Sequence, residues 1–236
     1  MAKHIIELVP GVYRIPTLGN YINSYVFSDD DGLTLVDAGL KWRAPGRIRS
    51  ALSAIGQDVS CVSRLILTHA HLDHAGGAAG LVRDAGLDGV IIHVDDVQFV
   101  TSGQKPPADP GVRGARLAAR MPWGGFDPVQ VGRAVVGEEL LPVGGGLRVI
   151  HTPGHTPGHV SLLHEPSGVL ITGDSIFNMN RRLTWPFAMY CTSFRQTKQT
   201  AHVLGELDYK IAAFTHGPEI RTGAREAVRG FLSRAA

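Results

Sequence analysis

The sequence is poor in cysteine, has no long apolar run and carries no strong excess of charge. Its 236 residues include two cysteines, Cys61 and Cys191, and neither belongs to a C-x-x-C pair, which excludes a disulfide framework. No segment approaches the length of a membrane-spanning helix, and the first residues contain no apolar stretch long enough for a signal peptide. We therefore expect a cytoplasmic protein that does not bind membranes.

The charge balance limits the classes of partner further. Lysine and arginine number 23 against 21 aspartates and glutamates, so the net charge is only +2. This balance argues against a nucleic-acid-binding protein, which would need a basic surface. With 44% hydrophobic and 19% charged residues, the composition is typical of a globular protein. The expected partner is a small-molecule substrate, and the composition predicts no particular oligomeric state.

Short apolar segments typical of strands alternate along the chain with segments that have helical periodicity. Segments rich in Val, Ile and Tyr, separated by turn signals such as "PG" and "DDDG", predict strands through the first forty residues. "APGRIRSALSAIG" predicts a helix, "SRLILT" a buried strand, "HAGGAAGLVRDAG" a helix beginning at His74, and "GVIIHV" another strand. This order indicates a layered α/β fold. No linker divides the chain, so we expect one domain over residues 1–236.

Residues 102–135 interrupt the alternation. This stretch is rich in proline and glycine, which excludes regular structure over most of its length. A loop this long within a compact domain is usually functional or disordered. Because it contains Trp123 and Phe126, we predict that the insertion is an ordered lid or contact surface.

The segment "THAHLDHAGG" concentrates metal-binding side chains directly after a predicted strand. It contains His69, His71, Asp73 and His74. Without a metal, burial of three imidazoles and a carboxylate would leave several polar groups unsatisfied. Alternation along an extended H-x-H segment points His69 and His71 to one side. Asp73 and His74 follow a turn and are free to face a second ion, so the segment predicts a site for one or two metal ions.

Other candidates lie at the ends of later strands. "HTPGHTPGH" spaces His151, His155 and His159 four residues apart, but its prolines and glycines exclude a helix, so the three side chains need not converge. "LITGDS" ends a strand at Asp174, and "FTHGP" ends one at His216. The other isolated histidines are expected to be core or exposed residues without a ligand role: His93, His164 and His202.

Together these motifs resemble those of the metallo-β-lactamase-fold hydrolase superfamily, and they occur in the same order. "LTLVDAG" is similar to the early strand that ends in aspartate, and "THAHLDHAGG" to the H-x-H-x-D-H signature. "HTPGHTPGH" resembles the third-histidine loop, "LITGD" the bridging-aspartate strand and "FTHG" the last-histidine strand. The resemblance implies an α/β fold, a four-layer αββα sandwich with metals in a cleft at one edge. It is closest to the glyoxalase II and lactonase-like branch.

The resemblance also implies a role for each matching residue. It implies that Asp174 bridges two metal ions and that Asp73 relays a proton as the leaving group departs. Asp37 is expected to brace the first-motif loop without binding metal, while His151 and His159 are structural. The implied ligands are His69, His71 and His155 for the first ion and Asp73, His74 and His216 for the second.

The implied chemistry is hydrolysis at a binuclear centre. Two divalent ions, zinc first and iron or manganese as alternatives, would activate a bridging hydroxide against an ester, thioester, lactone or related carbonyl substrate. The alternative is an oxidoreductase similar to mononuclear iron persulfide dioxygenases, which would use only His69, His155 and Asp174. The complete ligand set favours the hydrolase. A β-lactamase is disfavoured because well-known classes have cysteine or serine at the position of Asp174. Quorum-signal lactonases have tyrosine at the position of Phe177, which has no hydroxyl, so this activity is disfavoured as well.

Substrate choice is expected to depend on the walls of the cleft. Residues 102–135 and the segment following Asp174 are the two predicted walls, with aromatic side chains for an apolar group and arginines for an acidic one. The predicted pocket residues are Trp123, Phe126, Phe177, Arg181, Arg182, Trp185, Phe187 and Tyr190.

Overall fold

Two β-sheets pack face to face in the computed structural model, which describes residues 5–115 and 124–234. The first sheet has seven strands in sequence order; its first four are antiparallel, and from β4 to β7 neighbouring strands are parallel. Its strands are β1 (Ile6–Val9), β2 (Val12–Leu18), β3 (Ile22–Asp29), β4 (Gly32–Val36), β5 (Val62–Ile66), β6 (Val90–His93) and β7 (Val131–Val135).

The second sheet has five strands in the order β14-β11-β10-β9-β8 and a separate hairpin beside it. Its pairs are antiparallel except for β11 and β14, which run parallel. The sheet contains β8 (Leu140–Leu141), β9 (Leu147–His151), β10 (Val160–His164), β11 (Val169–Ile171) and β14 (Ile211–Ala213). The hairpin pairs β12 (Phe177–Met179) with β13 (Arg182–Thr184).

Helices cover the outer face of each sheet, which gives the four-layer αββα order. Tyr25 and Phe27 point from β3 into the core between the sheets, whereas Val26 points into the core beneath the first helical layer, as the two-residue period of a strand requires. A third core lies between the second sheet and its helices. The helices are α1 (Ala44–Ser53), α2 (Leu72–Ala75), α3 (Ala78–Ala85), α4 (Val97–Ser102), α5 (Phe194–Ala201) and α6 (Ala224–Arg234). None of the described helices is long and apolar enough to cross a bilayer.

The structure corrects two boundaries. The helix predicted from His74 is instead two short helices, α2 and α3, which are separated at Gly76 and Gly77. Gly77 lies so close to the loop after β4 that a Cβ would stand 2.4 Å from the carbonyl oxygen of Ala38. The predicted irregular insertion also ends earlier than expected, because residues 131–135 form the edge strand β7. Trp123 lies outside the described residues.

Strand direction brings the motifs together. Asp37, Thr68 and Asp96 follow the parallel strands β4, β5 and β6, so all three lie at one edge of the first sheet. Asp174 and His216 follow the parallel strands β11 and β14 of the second sheet. The candidate site therefore lies where the carboxyl ends of parallel strands from both sheets meet.

Candidate metal centre

Three histidines form the first ligand cluster. His69 Nε2 lies 3.1 Å from His71 Nδ1, and His71 Nδ1 lies 3.0 Å from His155 Nε2. The extended loop after β5 supplies the first two, with His71 directly preceding α2, and the loop between β9 and β10 supplies the third. Three imidazole nitrogens converging on one position are a typical donor set for zinc and other transition metals.

A second cluster contains one carboxylate and two histidines. Asp73 Oδ2 lies 3.8 Å from His74 Nε2 and 3.4 Å from His216 Nε2. Asp73 and His74 lie in α2, and His216 lies in the loop after β14. The structure thus brings all six of these predicted ligand residues into two adjacent groups.

Asp174 lies between the two clusters. Its Oδ2 is 3.1 Å from His155 Nε2 in the first cluster and 3.3 Å from His216 Nε2 in the second. Its Oδ1 is 3.4 Å from His74 Nε2. The carboxylate therefore faces nitrogens of both groups at once, which is the arrangement expected of a residue shared by two ions.

Two of the donor nitrogens are satisfied better by a metal ion than by hydrogen bonds to neighbouring residues. His74 Nε2 and His216 Nε2 are buried and form no well-aligned hydrogen bond, although oxygens of Asp174 lie 3.4 and 3.3 Å away. A buried imidazole nitrogen without a partner is costly, and a metal ion would supply the missing contact. The residues present therefore suit metal ions on chemical grounds.

The pKa shifts of the ligand residues also favour positively charged ions at the site. Burial alone would raise the pKa of Asp174, but His216, His74 and His155 hold it well below its usual range. Burial opposes charge on His155 and His216 as well, yet Asp174 raises the pKa of His155 to about 9 and that of His216 to about 10. Burial, together with His155, lowers the pKa of His71 to about 3. The buried carboxylates thus require positive charge around them, which divalent ions would supply.

Asp37 forms hydrogen bonds to the loop that carries the H-x-H-x-D-H motif and to one histidine of the second cluster. Its carboxylate accepts the backbone N–H of Thr68 at 2.8 Å, the Thr68 hydroxyl, and His74 Nδ1–H at 2.8 Å. Asp37 is fully buried and has a φ of 60°, a left-handed conformation that is unfavourable for a residue other than glycine. It therefore fixes the orientation of the His74 ring without pointing at the metal position.

Three other ligand histidines have orienting partners that the sequence did not reveal. His69 Nδ1 lies 3.0 Å from the Thr68 hydroxyl, and His155 Nδ1 lies 3.4 Å from the buried Sγ of Cys191. His216 Nδ1 donates to the backbone carbonyl of Tyr21 at 2.7 Å. A group on the second ring nitrogen fixes the tautomer that leaves the first nitrogen free for a metal.

Comparison with known proteins identifies the family. The family model described as "Metallo-beta-lactamase superfamily" matches residues 18–216, which is most of the chain. The chain belongs to the metallo-beta-lactamase superfamily. This membership confirms the resemblance of the motifs, the αββα fold and the expectation of a metal-dependent hydrolase of this superfamily.

Individual relatives are distant. "Probable metallo-hydrolase YybB" of Bacillus subtilis is 25% identical over 209 residues, covering 88% of this chain and 83% of that protein. "Hydroxyacylglutathione hydrolase GloC" of Haemophilus influenzae is 27% identical over 154 residues, covering 65% of this chain and 66% of that protein. BJP-1, a subclass B3 metallo-beta-lactamase of Bradyrhizobium japonicum, superposes with a TM-score of 0.74 at 22% identity, covering 98% of this chain and 91% of that one. The last likeness establishes a shared fold alone.

Within this superfamily fold, the three histidines of "HTPGHTPGH" lie in different places. Only His155 reaches the ligand clusters. His159 is fully buried, donates from Nδ1 to the Thr152 carbonyl and accepts the backbone N–H of Asp174 at Nε2, 2.7 Å away. His151 stacks on His93 with ring centroids 3.9 Å apart and an interplanar angle of 16°. Because imidazole lone pairs lie in the ring planes, this stacked pair cannot direct both rings at one ion.

The predicted pocket residues divide into cleft, core and surface positions. Phe177 is buried, and its ring centroid lies 4.3 Å from that of His216. Phe187 and Tyr190 are exposed and continue outward from Phe177, with successive ring centroids 6.2 and 6.4 Å apart. Trp185 instead packs on Phe231 of α6.

The other described members of the predicted pocket set lie in the core or at the surface. Phe126 is 9% exposed and belongs to the core beneath the first helical layer. Arg181 and Arg182 are exposed at the turn of the β12–β13 hairpin, where Arg181 has a φ of 62°. Of the predicted set, Phe177, Phe187 and Tyr190 thus form a continuous aromatic row that begins at a ligand histidine.

Proposed function

We propose that the protein is a binuclear metal-dependent hydrolase of an ester, thioester, lactone or related carbonyl substrate. The observation that carries the proposal is the position of Asp174, whose carboxylate faces nitrogens of both clusters at 3.1 to 3.4 Å. A mononuclear iron enzyme would need only His69, His155 and Asp174. It would leave the buried nitrogens of His74 and His216 without a role.

In the proposed hydrolase, seven residues bind the two metal ions. When bound, the two ions supply Lewis acidity that activates a water and polarises the scissile carbonyl. His69, His71 and His155 would hold the first ion and His74, His216 and Asp73 the second, with Asp174 facing both groups. Zinc suits this imidazole and carboxylate donor set best.

Asp73 is the residue best placed to move a proton. Its side chain is 33% exposed, whereas that of Asp174 is 4% exposed, so Asp73 alone of the two can meet an incoming molecule. Burial would raise the pKa of Asp73, but His74 and His216 hold it below its usual range. Asp73 is therefore ionised when the substrate binds. It is placed to accept the proton that the attacking water loses as its oxygen bonds to the carbonyl carbon, and to pass that proton to the leaving group.

The aromatic row supplies the preference for an apolar acyl portion. Phe187 and Tyr190 are 60% and 55% exposed, and they lead to the buried Phe177 beside His216. An acyl chain lying along this row would bring its carbonyl to the second cluster. The relative GloC is named for thioester-type chemistry, hydrolysis of hydroxyacylglutathione, which supports including thioesters among the candidates.

Metal content and a substrate panel test the proposal. Mass spectrometry of the metal-loaded protein should show two ions per chain. The loaded protein should then be assayed with ester, thioester, lactone, phosphodiester and β-lactam substrates. We expect hydrolysis of an ester, thioester or lactone, and a chelator should abolish it. A chain that holds one iron and consumes oxygen with a persulfide would contradict the proposal and favour the dioxygenase alternative.

Phe187→Ala tests the substrate preference. Loss of the exposed ring should raise KM for a long-chain acyl ester by about tenfold, the effect of roughly 1.4 kcal/mol of lost apolar contact, while KM for the acetyl ester stays unchanged. Leu140→Ala is the matched control, since Leu140 is similarly exposed at 54% but lies on β8 near the turn at the far end of β3. Equal effects on both esters would reject the aromatic row as the acyl site.

A further inference from the structure

Asp96 is a fully buried carboxylate that the family motifs do not include. It follows strand β6 and precedes α4, and none of its surface is exposed. Its Oδ2 accepts the backbone N–H of Ala70 at 2.9 Å and the hydroxyl of Thr156 at 2.7 Å. Its Oδ1 accepts the backbone N–H of Gly158 at 2.7 Å. Three short bonds from uncharged donors satisfy the carboxylate.

These three bonds join the two loops that carry the first ligand cluster. Ala70 lies between His69 and His71, and Thr156 directly follows His155. One buried carboxylate therefore sets the distance between the H-x-H segment and the third histidine. No other side chain in the described ranges is seen to hydrogen-bond to both Ala70 and Thr156.

Gly158 shows how closely this contact is packed. A Cβ at position 158 would stand 2.6 Å from the backbone nitrogen of Asp96 and 2.9 Å from its Cβ and Cγ. Any residue larger than glycine would push the loop away from Asp96. The tight approach is therefore built into the sequence of both partners.

Asp37 performs the corresponding task on the other side of the site. It holds Thr68 and the His74 ring, whereas Asp96 holds Ala70 and Thr156. We propose that Asp96 is a positioning residue for the first metal ion, acting through the two loops, and that it leaves the second ion under the control of Asp37. The proposal rests on the two-metal assignment made above.

Zinc affinity of each centre tests the proposal separately from activity. Asp73→Ala removes a ligand of the second centre and His71→Ala removes one of the first. Chelator competition on the one-zinc form of each variant therefore measures the centre that keeps all its ligands. Adding Asp96→Asn should weaken zinc binding about 10- to 100-fold in the Asp73→Ala protein, the usual effect of losing a group that orients a metal ligand. It should change zinc binding less than about threefold in the His71→Ala protein.

Neighbouring variants serve as controls. Asp95→Asn makes the same charge change at a carboxylate that is 52% exposed, whose side-chain contacts are with His93 and His151, so it should leave both affinities unchanged. Thr156→Val removes one of the three bonds and Thr156→Ser keeps it, so valine should weaken the first centre and serine should restore it. Gly158→Ala should weaken the first centre as Asp96→Asn does.

Failure of the two-metal assignment and failure of the role of Asp96 would give different results. A wild-type chain that binds a single zinc ion would overturn the two-metal assignment, and the role given to Asp96 with it. A two-zinc wild type whose first centre is unaffected by Asp96→Asn would overturn the positioning role alone. Equal weakening of both centres would also overturn it, since that would mark a general loss of structure. If Asp96→Asn is insoluble, the Thr156→Val and Thr156→Ser pair decides.

Discussion

Asp174 is the single residue whose change should affect both metal ions. Asp174→Asn keeps the volume of the side chain but removes the negative charge that faces His155, His74 and His216. We expect both zinc affinities to fall by more than the roughly 100-fold that loss of an outer partner costs. Chelator competition with the wild type measures this.

Asp208→Asn provides the control for charge in the Asp174 experiment. Asp208 is 98% exposed, lies before β14 and pairs only with Arg225, so its replacement should leave both zinc affinities unchanged. An Asp174→Asn protein that still held two tight ions would show that the carboxylate is not shared between the centres.

The same unit of structure appears twice at the element scale. Thr68 and His69 follow strand β5, and the Thr68 hydroxyl donates to Asp37, which follows the parallel strand β4. Thr215 and His216 follow strand β14, and the Thr215 hydroxyl donates at 2.7 Å to Asp174, which follows the parallel strand β11. The sequence contains this repeat as "LILTHA" and "AAFTHG".

Two glycines of one segment should respond oppositely to alanine. Gly77→Ala would place a Cβ 2.4 Å from the Ala38 carbonyl oxygen, so we expect unfolding free energy to fall by about 1–3 kcal/mol, as for other overpacked sites. Gly80 lies within α3, and its Cβ would meet only the tip of Arg83 at 3.8 Å. Gly80→Ala should therefore stabilise by about 0.5–1 kcal/mol. Urea unfolding measures both, and equal effects would contradict the close approach at Gly77.

Much of the fold and the ligand set could be predicted because local signals and tertiary structure agree. The apolar runs "LIL" and "IAAF" lie at the ends of β5 and β14, and a Thr-His pair follows each run directly. Gly76 and Gly77 could not be interpreted from the sequence alone, because what they avoid is a loop about forty residues earlier. Helical periodicity therefore overextended the helix at its start.

The sequence could not predict which residues distant along the chain form hydrogen bonds with each other. Asp96 resembles any acidic residue in "HVDDVQFV", and its neighbour Asp95 is exposed. Only the fold shows which of the two accepts hydrogen bonds from both ligand loops. One signal was available: Asp37, Asp96 and Asp174 each follow closely after a strand that has a parallel neighbour. The contact between Trp185 and Phe231 of α6 is likewise a long-range contact that the residues around Asp174 do not indicate.

At the scale of the whole molecule, a buried ion pair ties the first sheet to the loop that carries His216. Arg14 of β2 donates to Glu219 at 2.8 Å and to Asn23 of β3, also at 2.8 Å. Asn23 in turn donates to the carbonyl of Gly217 at 2.7 Å, next to His216. The side chains of Arg14 and Glu219 are only 4% and 10% exposed, so water screens this pair weakly.

Glu219→Gln should therefore lower the unfolding free energy at pH 7 by about 3 kcal/mol, because it leaves the Arg14 charge buried without its counter-ion. Burial would raise the pKa of Glu219, but Arg14 holds it below the ordinary value of 4.5. A carboxylate with a depressed pKa stabilises the fold above its unfolded pKa and loses that contribution as the pH falls through its folded pKa. The stability gap between wild type and Glu219→Gln should accordingly be constant from pH 7 to about pH 5 and narrow below about pH 4. Urea unfolding across this range measures the gap. A gap that stayed constant down to pH 3 would show that the ion pair does not link the two sheets energetically.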